Sequence, residues 1–247
     1  MEMQHAVAQP ALLGQTVVII GGGSGMGLET ARQARAEGAD VILAGRHPER
    51  LEQPARDVGA LAIAFVDATD PAALARFFGS LETIDHVMVT AGDPPYGRLL
   101  DGSPEDARRL LTARLVLPLD VARAAAGKVT PRGSLIFIGS TGHRRPRLGE
   151  GVISTVSVAT PMLIANLALE LEPVRVNLIA PGFVNTPLSA RLLGDELEQR
   201  RRQLRATLPI GRVVEPADIG SLAVQIMSNT AITGATFDID GGQQFVE

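Results

Sequence analysis

The chain has 247 residues, of which 45% are hydrophobic and 20% are charged. These proportions are close to those of soluble globular proteins, so composition excludes a disordered, collagen-like or coiled-coil chain. The 23 Lys and Arg residues against 27 Asp and Glu residues give a formal charge of −4, which argues against nucleic acid as a partner. The absence of cysteine excludes disulfides, thiolate metal ligands and a thiol nucleophile, and it fits a cytoplasmic protein.

Apolar β-branched runs alternate with helical patterns along the chain. The strand patterns cover residues 16–20, 41–44, 61–66, 84–90, 135–138, 174–179 and 236–239. The helical patterns cover residues 28–36, 71–81, 104–126, 152–171, 188–206 and 216–227. This alternation predicts an α/β fold with a single Rossmann-type, doubly wound parallel sheet and helices on both faces. We expect a loose N-terminal segment over residues 1–12 and a single domain over residues 13–247.

Targeting and membrane signals are weak. Residues 1–15 have no basic region followed by an apolar one, so we expect no signal peptide. The longest uncharged run, residues 151–169, contains Ser, Thr, Asn and Pro residues. This run is therefore expected as a buried helix, with no membrane as a partner.

The first strand leads directly into the glycine-rich segment Gly21-Gly22-Gly23-Ser24-Gly25-Met26-Gly27. In such a turn the first glycine permits a sharp bend, the second lets the backbone approach a pyrophosphate, and the third lets helix and strand pack closely. The phosphates then lie at the helix N-terminus. A glycine cluster alone could be an ordinary flexible turn, but the strand before it and the helix after it favour a dinucleotide site.

The end of the second strand indicates which dinucleotide binds. An acidic residue there would bond to a free ribose 2′-hydroxyl, whereas an arginine would pair with a 2′-phosphate. This chain has Arg46 at that point, which predicts NADP(H) as the cofactor of the domain over residues 13–247. The alternative is that Arg46 merely caps a solvated turn.

Five segments, in this order, resemble motifs of the short-chain dehydrogenase/reductase family, and the resemblance runs from about Leu13 to Gly242. The segments are Ile20–Gly27, in which Ile20 replaces the family's threonine, Phe65-Val66-Asp67, Thr90-Ala91-Gly92, Pro181–Pro187, and Asp240-Gly241-Gly242. Together with the residues argued above, the resemblance implies a set of cofactor-binding residues. They are Gly21, Gly23, Ser24, Gly25, Met26, Gly27, Arg46, Asp67, Ala68, Ala91, Gly92, Pro181, Gly182 and Thr186.

The resemblance breaks at the catalytic residues. Family members use a serine, a tyrosine, a lysine four residues after the tyrosine, and an asparagine on the central helix. Ser140 matches the serine, but Ile153 and Ser157 stand where the tyrosine and lysine belong, and Arg114 stands at the asparagine position. Hydride reduction of a ketone leaves an alkoxide, and Ile153 cannot supply the proton that general acid catalysis requires. We identify Ser140 as the catalytic residue that remains, and no metal site.

Three interpretations stay open. The first is an enzyme whose acid has moved, with Tyr96 or His143 in reach of the pocket, or whose substrate is an iminium that accepts hydride without forming an oxyanion. The alternative for Tyr96 is an aromatic that only packs against its neighbours, and the alternative for His143 is a residue of a solvated loop. The second interpretation is an NADP(H) sensor or scaffold partner without turnover. The third is a subunit whose value lies in oligomerisation through the apolar helix over residues 152–171.

The sequence thus predicts an NADP(H)-dependent oxidoreductase with an atypical or impaired catalytic site. It would transfer hydride between NADP(H) and a small-molecule carbonyl, alcohol or imine. The resemblance also implies a homodimer or homotetramer. The non-catalytic sensor or scaffold remains the alternative.

Overall fold

The computed structural model describes residues 9–92, 97–145 and 148–246, apart from the side chain of residue 143. It contains one seven-stranded sheet in the order β3-β2-β1-β4-β5-β6-β7, and all neighbouring strands are parallel. The strands are β1 (Thr16–Ile20), β2 (Asp40–Gly45), β3 (Ala62–Phe65), β4 (Ile84–Val89), β5 (Val129–Ile138), β6 (Arg175–Pro181) and β7 (Thr236–Ile239). The order runs outward from β1 in both directions, which confirms the predicted doubly wound sheet.

Ten α-helices are assigned within the described residues. They are α1 (Gly25–Ala36), α2 (Glu52–Val58), α3 (Pro71–Ser80), α4 (Pro104–Leu111), α5 (Leu117–Ala125), α6 (Gly151–Glu170), α7 (Pro187–Leu193), α8 (Leu197–Thr207), α9 (Pro216–Ser228) and α10 (Gln243–Val246). A π-helical turn over Thr112–Val116 joins α4 to α5. The sequence predicted one continuous helix there.

Two apolar cores cover the two faces of the sheet. Along β1, Val17 and Ile19 point into one core, and Val18 and Ile20 point into the other. Successive side chains of a strand point to opposite faces, so a strand buried on both sides is continuously apolar. This explains why the first strand is so clear in the sequence, and it places helices on both faces.

The packed domain begins earlier than predicted. Leu12 was assigned to the loose segment, but it is fully buried in one of the two cores. Its backbone N–H donates to Glu37 O at 2.9 Å, and the N–H of Ala11 donates to the Glu37 carboxylate at 2.8 Å. The end of the predicted loose segment is therefore anchored to the C-terminal end of α1, because burying one leucine and pairing its amide fixes the turn that precedes β1.

Helix α6 is, among the described residues, the helix long and apolar enough to cross a membrane by length and composition. Within the fold, Ile164 and Leu167 of this helix pack into the core beside β6, and Ile153 and Val156 pack against Leu110. Part of its apolar character therefore comes from core packing. Its remaining apolar surface includes Val158, Met162 and Leu169, which are exposed.

Candidate active site

A crevice of about 1610 Å³ runs along the carboxyl edge of the sheet. Residues at the ends of β1, β2, β4 and β5 line it, together with the loops that follow β3 and β6. Ligands of open α/β sheets bind at this edge, where the strand order reverses direction. The reversal here lies between β1 and β4, beside the glycine-rich segment.

The glycine segment forms a close-packed turn between β1 and α1. Gly21 has φ +93°, and a Cβ there would lie 2.9 Å from Ala91 N. A Cβ on Gly27 would lie 2.5 Å from Gly21 O, so only glycine lets α1 pack this closely on the turn. Because α1 begins at Gly25, its free N–H groups point towards the crevice, and this arrangement fits the pyrophosphate of a dinucleotide.

Most of the proposed cofactor residues lie along this crevice. The residues that line it are Gly21, Gly23, Ser24, Gly25, Met26, Arg46, Asp67, Ala68, Ala91, Gly92, Gly182 and Thr186. Gly27 and Pro181 lie behind its wall, Gly27 beneath the glycine turn and Pro181 as the buried last residue of β6. We therefore expect these two residues to shape the crevice without contacting its ligand.

Arg46 and Asp67 stand together at one end of the crevice, after β2 and β3. Asp67 Oδ1 accepts hydrogen bonds from the hydroxyl and the backbone N–H of Thr69, at 2.7 and 2.9 Å. These bonds, with a smaller contribution from the charge of Arg46, lower the pKa of the Asp67 carboxyl. Arg46 is exposed, and its guanidinium is available to an anionic group of a ligand at this end.

Thr186 has a local role that sequence reasoning missed. Its hydroxyl accepts the Ser189 N–H at 3.1 Å and caps α7, and the Ser189 hydroxyl receives the Thr186 N–H in return. The Thr186 side chain would also touch a Cβ placed on Gly25, at 3.4 Å. The loop after β6 therefore closes over the glycine turn from the opposite side of the crevice.

Ser140 follows β5 and lines the crevice. Its Oγ accepts the Gly142 N–H at 3.0 Å, which caps a short 3-10 turn over Thr141–His143. Three oxygens converge on the place that a Gly142 side chain would occupy. A Cβ there would lie 3.2 Å from Ser140 Oγ, 3.7 Å from Ser154 Oγ and 3.8 Å from Glu150 Oε2.

At Ile153 and Ser157, which the sequence analysis matched with the family's tyrosine and lysine, the side chains are apolar or internally satisfied. Ile153 lines the crevice with 4% of its surface exposed and packs against Leu110 and Val156. Ser157 is buried, and its hydroxyl donates to Ile153 O at 2.7 Å. Lys128 is far from this end, because it precedes β5 and its ammonium donates to Leu81 O at 2.6 Å. No phenol or ammonium of the described residues therefore reaches the Ser140 end of the crevice.

Arg114 lies in the π-helical turn and does not line the crevice. Its Nη1 donates to Ile138 O at 2.5 Å, so it ties the central helix to the end of β5. The predicted alternative acids cannot be placed. Tyr96 and the side chain of His143 both lie outside the described residues.

Arginines dominate the wall of the crevice. Eight line it, against three carboxylates in the described ranges. The arginines are Arg46, Arg50, Arg108, Arg109, Arg144, Arg145, Arg191 and Arg200, and the carboxylates are Asp67, Glu105 and Glu150. An excess of cations along a concave surface suits a polyanion such as a dinucleotide phosphate. Across the described part of the chain, no three His, Asp or Glu side chains cluster in a way that could hold a metal ion.

Comparison with known proteins gives the family. The family model described as enoyl-(acyl carrier protein) reductase matches residues 21–244. "Short-chain dehydrogenase/reductase malC" of Malbranchea aurantiaca is 28% identical over 253 residues, covering 94% of this chain and 95% of that protein. "NADP-dependent (R)-specific alcohol dehydrogenase" of Lentilactobacillus kefiri is 30% identical over 250 residues, covering 94% and 97%.

Solved structures of dehydrogenases are also similar to this chain. A small-chain dehydrogenase in complex with NADPH superposes with a TM-score of 0.82 and 26% identity, covering 94% of this chain and 99% of that one. Sheet order and crevice together define a Rossmann-type nucleotide-binding protein. The matches extend over nearly the whole chain, and the chain belongs to the short-chain dehydrogenase/reductase family of oxidoreductases.

Proposed function

We propose that the chain is an NADP(H)-dependent oxidoreductase with an atypical catalytic site. One observation carries the proposal: the glycine turn, Arg46 and the loop after β6 line the crevice, and the same wall carries the apolar Ile153, which the sequence analysis matched with the family's acid. Such a site would bind the cofactor and catalyse a reaction in which the residue at position 153 donates no proton.

Three observations support NADP(H) over NAD(H). Arg46 is exposed at the end of β2, where a guanidinium can form charge-assisted bonds to a 2′-phosphate. The relative from Lentilactobacillus kefiri is named as NADP-dependent. Two similar solved structures are described as complexes with NADPH.

Residues at different points of the crevice have different roles. The glycine turn and the α1 N-terminus hold the pyrophosphate, and Arg46 holds the 2′-phosphate. Bound NADPH supplies a hydride at the other end. There the Ser140 hydroxyl donates to or accepts from the reacting group of the substrate, and Ile153 with Leu110 excludes water from one side.

The test is cofactor binding followed by turnover. NADPH is titrated by its fluorescence, and its oxidation is then followed with panels of ketones, quinones, aldehydes and imines. We expect NADPH to bind and simple ketones to turn over far below the enzyme median of about 10 per second, because an alkoxide would find no acid. Failure to bind NADPH would contradict the proposal, and fast ketone reduction would show that another group supplies the proton.

A non-catalytic NADP(H) sensor or scaffold is the second candidate. It is favoured by the presence of Ile153 and Ser157 where the sequence analysis expects the family's tyrosine and lysine, beside a close-packed glycine turn. NADPH binding without turnover of any substrate class would support it. The homodimer or homotetramer stays a prediction, which light scattering of the purified protein tests directly.

A further inference from the structure

The loop after β5, the loop after β6 and helix α10 are tied together on the β7 side of the crevice. Arg144, in the loop after β5, donates to a carboxylate oxygen of Asp238 in β7 at 2.7 Å, and the side chain of Gln244 donates to the same oxygen at 3.3 Å. The side chain of Gln243 accepts the N–H of Phe183, in the loop after β6, at 2.8 Å. These bonds fix the wall of the crevice on the β7 side.

Arg145 follows Arg144 in the same loop and also lines the crevice. It is exposed, and it forms no ion pair or hydrogen bond with any residue of the described ranges. Two other arginines of the wall have carboxylate partners: Arg108 pairs with Glu105 at 3.4 Å, and Arg144 pairs with Asp238. The guanidinium of Arg145 is therefore available to an anionic group of a ligand.

Under the proposed function, the phosphates of the cofactor lie at the opposite end of the crevice. The pyrophosphate is held at the start of α1, beside β1, and the 2′-phosphate is held by Arg46, after β2. The Arg144 side chain is bonded to β7, which is five strands away from β2 in the sheet. Since neighbouring strands lie ~4.8 Å apart, roughly 20 Å separates β7 from the phosphate end. The charge of Arg145 is therefore not needed to hold the cofactor.

Two leucines with much of their surface exposed also line the crevice. Leu148 lies in the same loop as Arg145 and is 86% exposed, and Leu192 of α7 is 44% exposed. Exposed apolar side chains in a concave surface favour an apolar ligand, because covering them releases water. A ligand that covers these leucines and also pairs with Arg145 needs both an apolar body and a negative charge.

We propose that the substrate of this protein is an aryl or alkyl carboxylate, and that Arg145 binds its anionic group. The inference rests on the proposed function, because it requires NADP(H) in the other part of the crevice. Arginine suits this role, since its planar guanidinium can form two parallel hydrogen bonds to one carboxylate. Ser140 begins the turn that leads to Arg144 and Arg145, so the two residues belong to one short segment of the wall. Arg145 selects the substrate and takes no part in the transfer of hydride.

The first experiment compares probes that share a frame and differ in charge. The aryl probes are 4-phenylbutanoate, 4-phenylbutanamide and 4-phenylbutylammonium, and the alkyl probes are hexanoate and hexanamide. Binding of each to the NADP⁺ complex is measured by calorimetry at low ionic strength. We expect the carboxylate of at least one frame to bind at least fivefold more tightly than its amide, and the ammonium to bind most weakly.

The variants test the assignment of Arg145. We expect Arg145→Gln to lower the affinity for the carboxylate at least fivefold, to that of the amide, because the charge is removed. The affinities for the amide and for NADPH should stay within twofold of the wild-type values. Arg145→Lys keeps the charge without the planar guanidinium and should retain part of the preference. The control is Arg202→Gln, on an exposed arginine of α8 that does not line the crevice, and it should change none of these affinities.

The outcomes separate the inference from the proposed function. If neither NADPH nor NADP⁺ binds, the proposed function fails and the inference fails with it. If the cofactor binds but no carboxylate binds more tightly than its amide, the inference is wrong while cofactor binding stands. An equal loss of carboxylate affinity in Arg145→Gln and Arg202→Gln also overturns it, because the attraction would then come from the net charge of the protein. Should Arg145→Gln not fold, Arg145→Glu repeats the test: it should bind the ammonium more tightly than the carboxylate, and a retained preference for the carboxylate would contradict the assignment.

Discussion

Arg46 is exposed and lines the crevice, and under the proposed function it is the residue that selects NADP(H). We expect Arg46→Ala to weaken NADPH binding by about 1.5–3 kcal/mol, because charge-assisted bonds to the 2′-phosphate are lost. NADH has no such phosphate, so its affinity should change little. Fluorescence titration of both cofactors measures the difference, and an Arg46→Ala protein that still prefers NADPH by the same factor would refute the assignment.

Ile153 is the residue that the sequence analysis matched with the family's tyrosine. We expect Ile153→Tyr to lower the free energy of unfolding by about 1–3 kcal/mol, because a larger ring must enter the packed contact with Leu110. It should not create a ketone reductase, since Ser157 provides no positive charge beside the new phenol. Urea unfolding checks the stability, and NADPH oxidation with a ketone checks the activity. Ile153→Val is the control, because it makes the side chain smaller and inserts no ring beside Leu110.

A gain of fast ketone turnover in Ile153→Tyr would show that another cation serves the phenol. The glycine turn and Ser140 are recognisable in sequence because each belongs to a local pattern on a strand end. Glu150 belongs to no pattern. Its place on the crevice wall is not predictable from residue spacing.

The glycine turn joins β1 to α1 by contacts that a single methyl group would break. We expect Gly27→Ala to lower the free energy of unfolding by about 1–3 kcal/mol and to weaken NADPH binding, because its Cβ would lie 2.5 Å from Gly21 O. The control is Gly79→Ala in α3, where a Cβ meets no atom within 4 Å. That change should stabilise the protein by about 0.5–1 kcal/mol.

Thermal unfolding of both glycine variants, with and without NADPH, measures these effects. Equal stability in the two variants would contradict the close approach of α1 to the turn. Strands β1 and β2 were predictable because burial on both faces makes them continuously apolar, whereas the edge strands β3 and β7 are more exposed. The helices were less so: α2 was missed because it is short and polar, and the helix predicted over residues 188–206 is divided by a 3-10 turn at Gly194–Glu196.

The buried histidine His86 couples the stability of the protein to pH. His86 lies in β4 with 1% of its surface exposed, and its ring nitrogens are 2.9 Å from Ser134 Oγ and 2.7 Å from Gln15 Oε1. Burial, with a further contribution from the charge of Arg175, lowers the pKa of His86 to about 4. The folded protein therefore keeps this ring neutral at a pH where an unfolded chain protonates it.

The direction in which stability changes with pH follows from proton uptake. Between pH 6.5 and 4 the unfolded state binds the proton and the folded state does not, so stability falls as pH falls through that range. The full loss corresponds to about 3 kcal/mol. We expect His86→Gln to show a shallower decline. Urea unfolding at pH 7, 5.5 and 4 compares the two proteins, and the difference between them removes the contribution of carboxylates such as Asp67. Parallel declines would rule out His86 as the source.

The π-helical turn at Thr112–Val116 rotates the side chains of α5 about the helix axis relative to those of α4. A π turn accommodates one residue more than an α turn, and one residue corresponds to about 100° of rotation about the axis. Leu110 can therefore face Ile153, while Leu117, Val121 and Ala125 face the sheet core. Relatives in which this stretch is a regular α-helix should lack one residue here, and an alignment without that gap would pair the wrong side chains along the crevice wall.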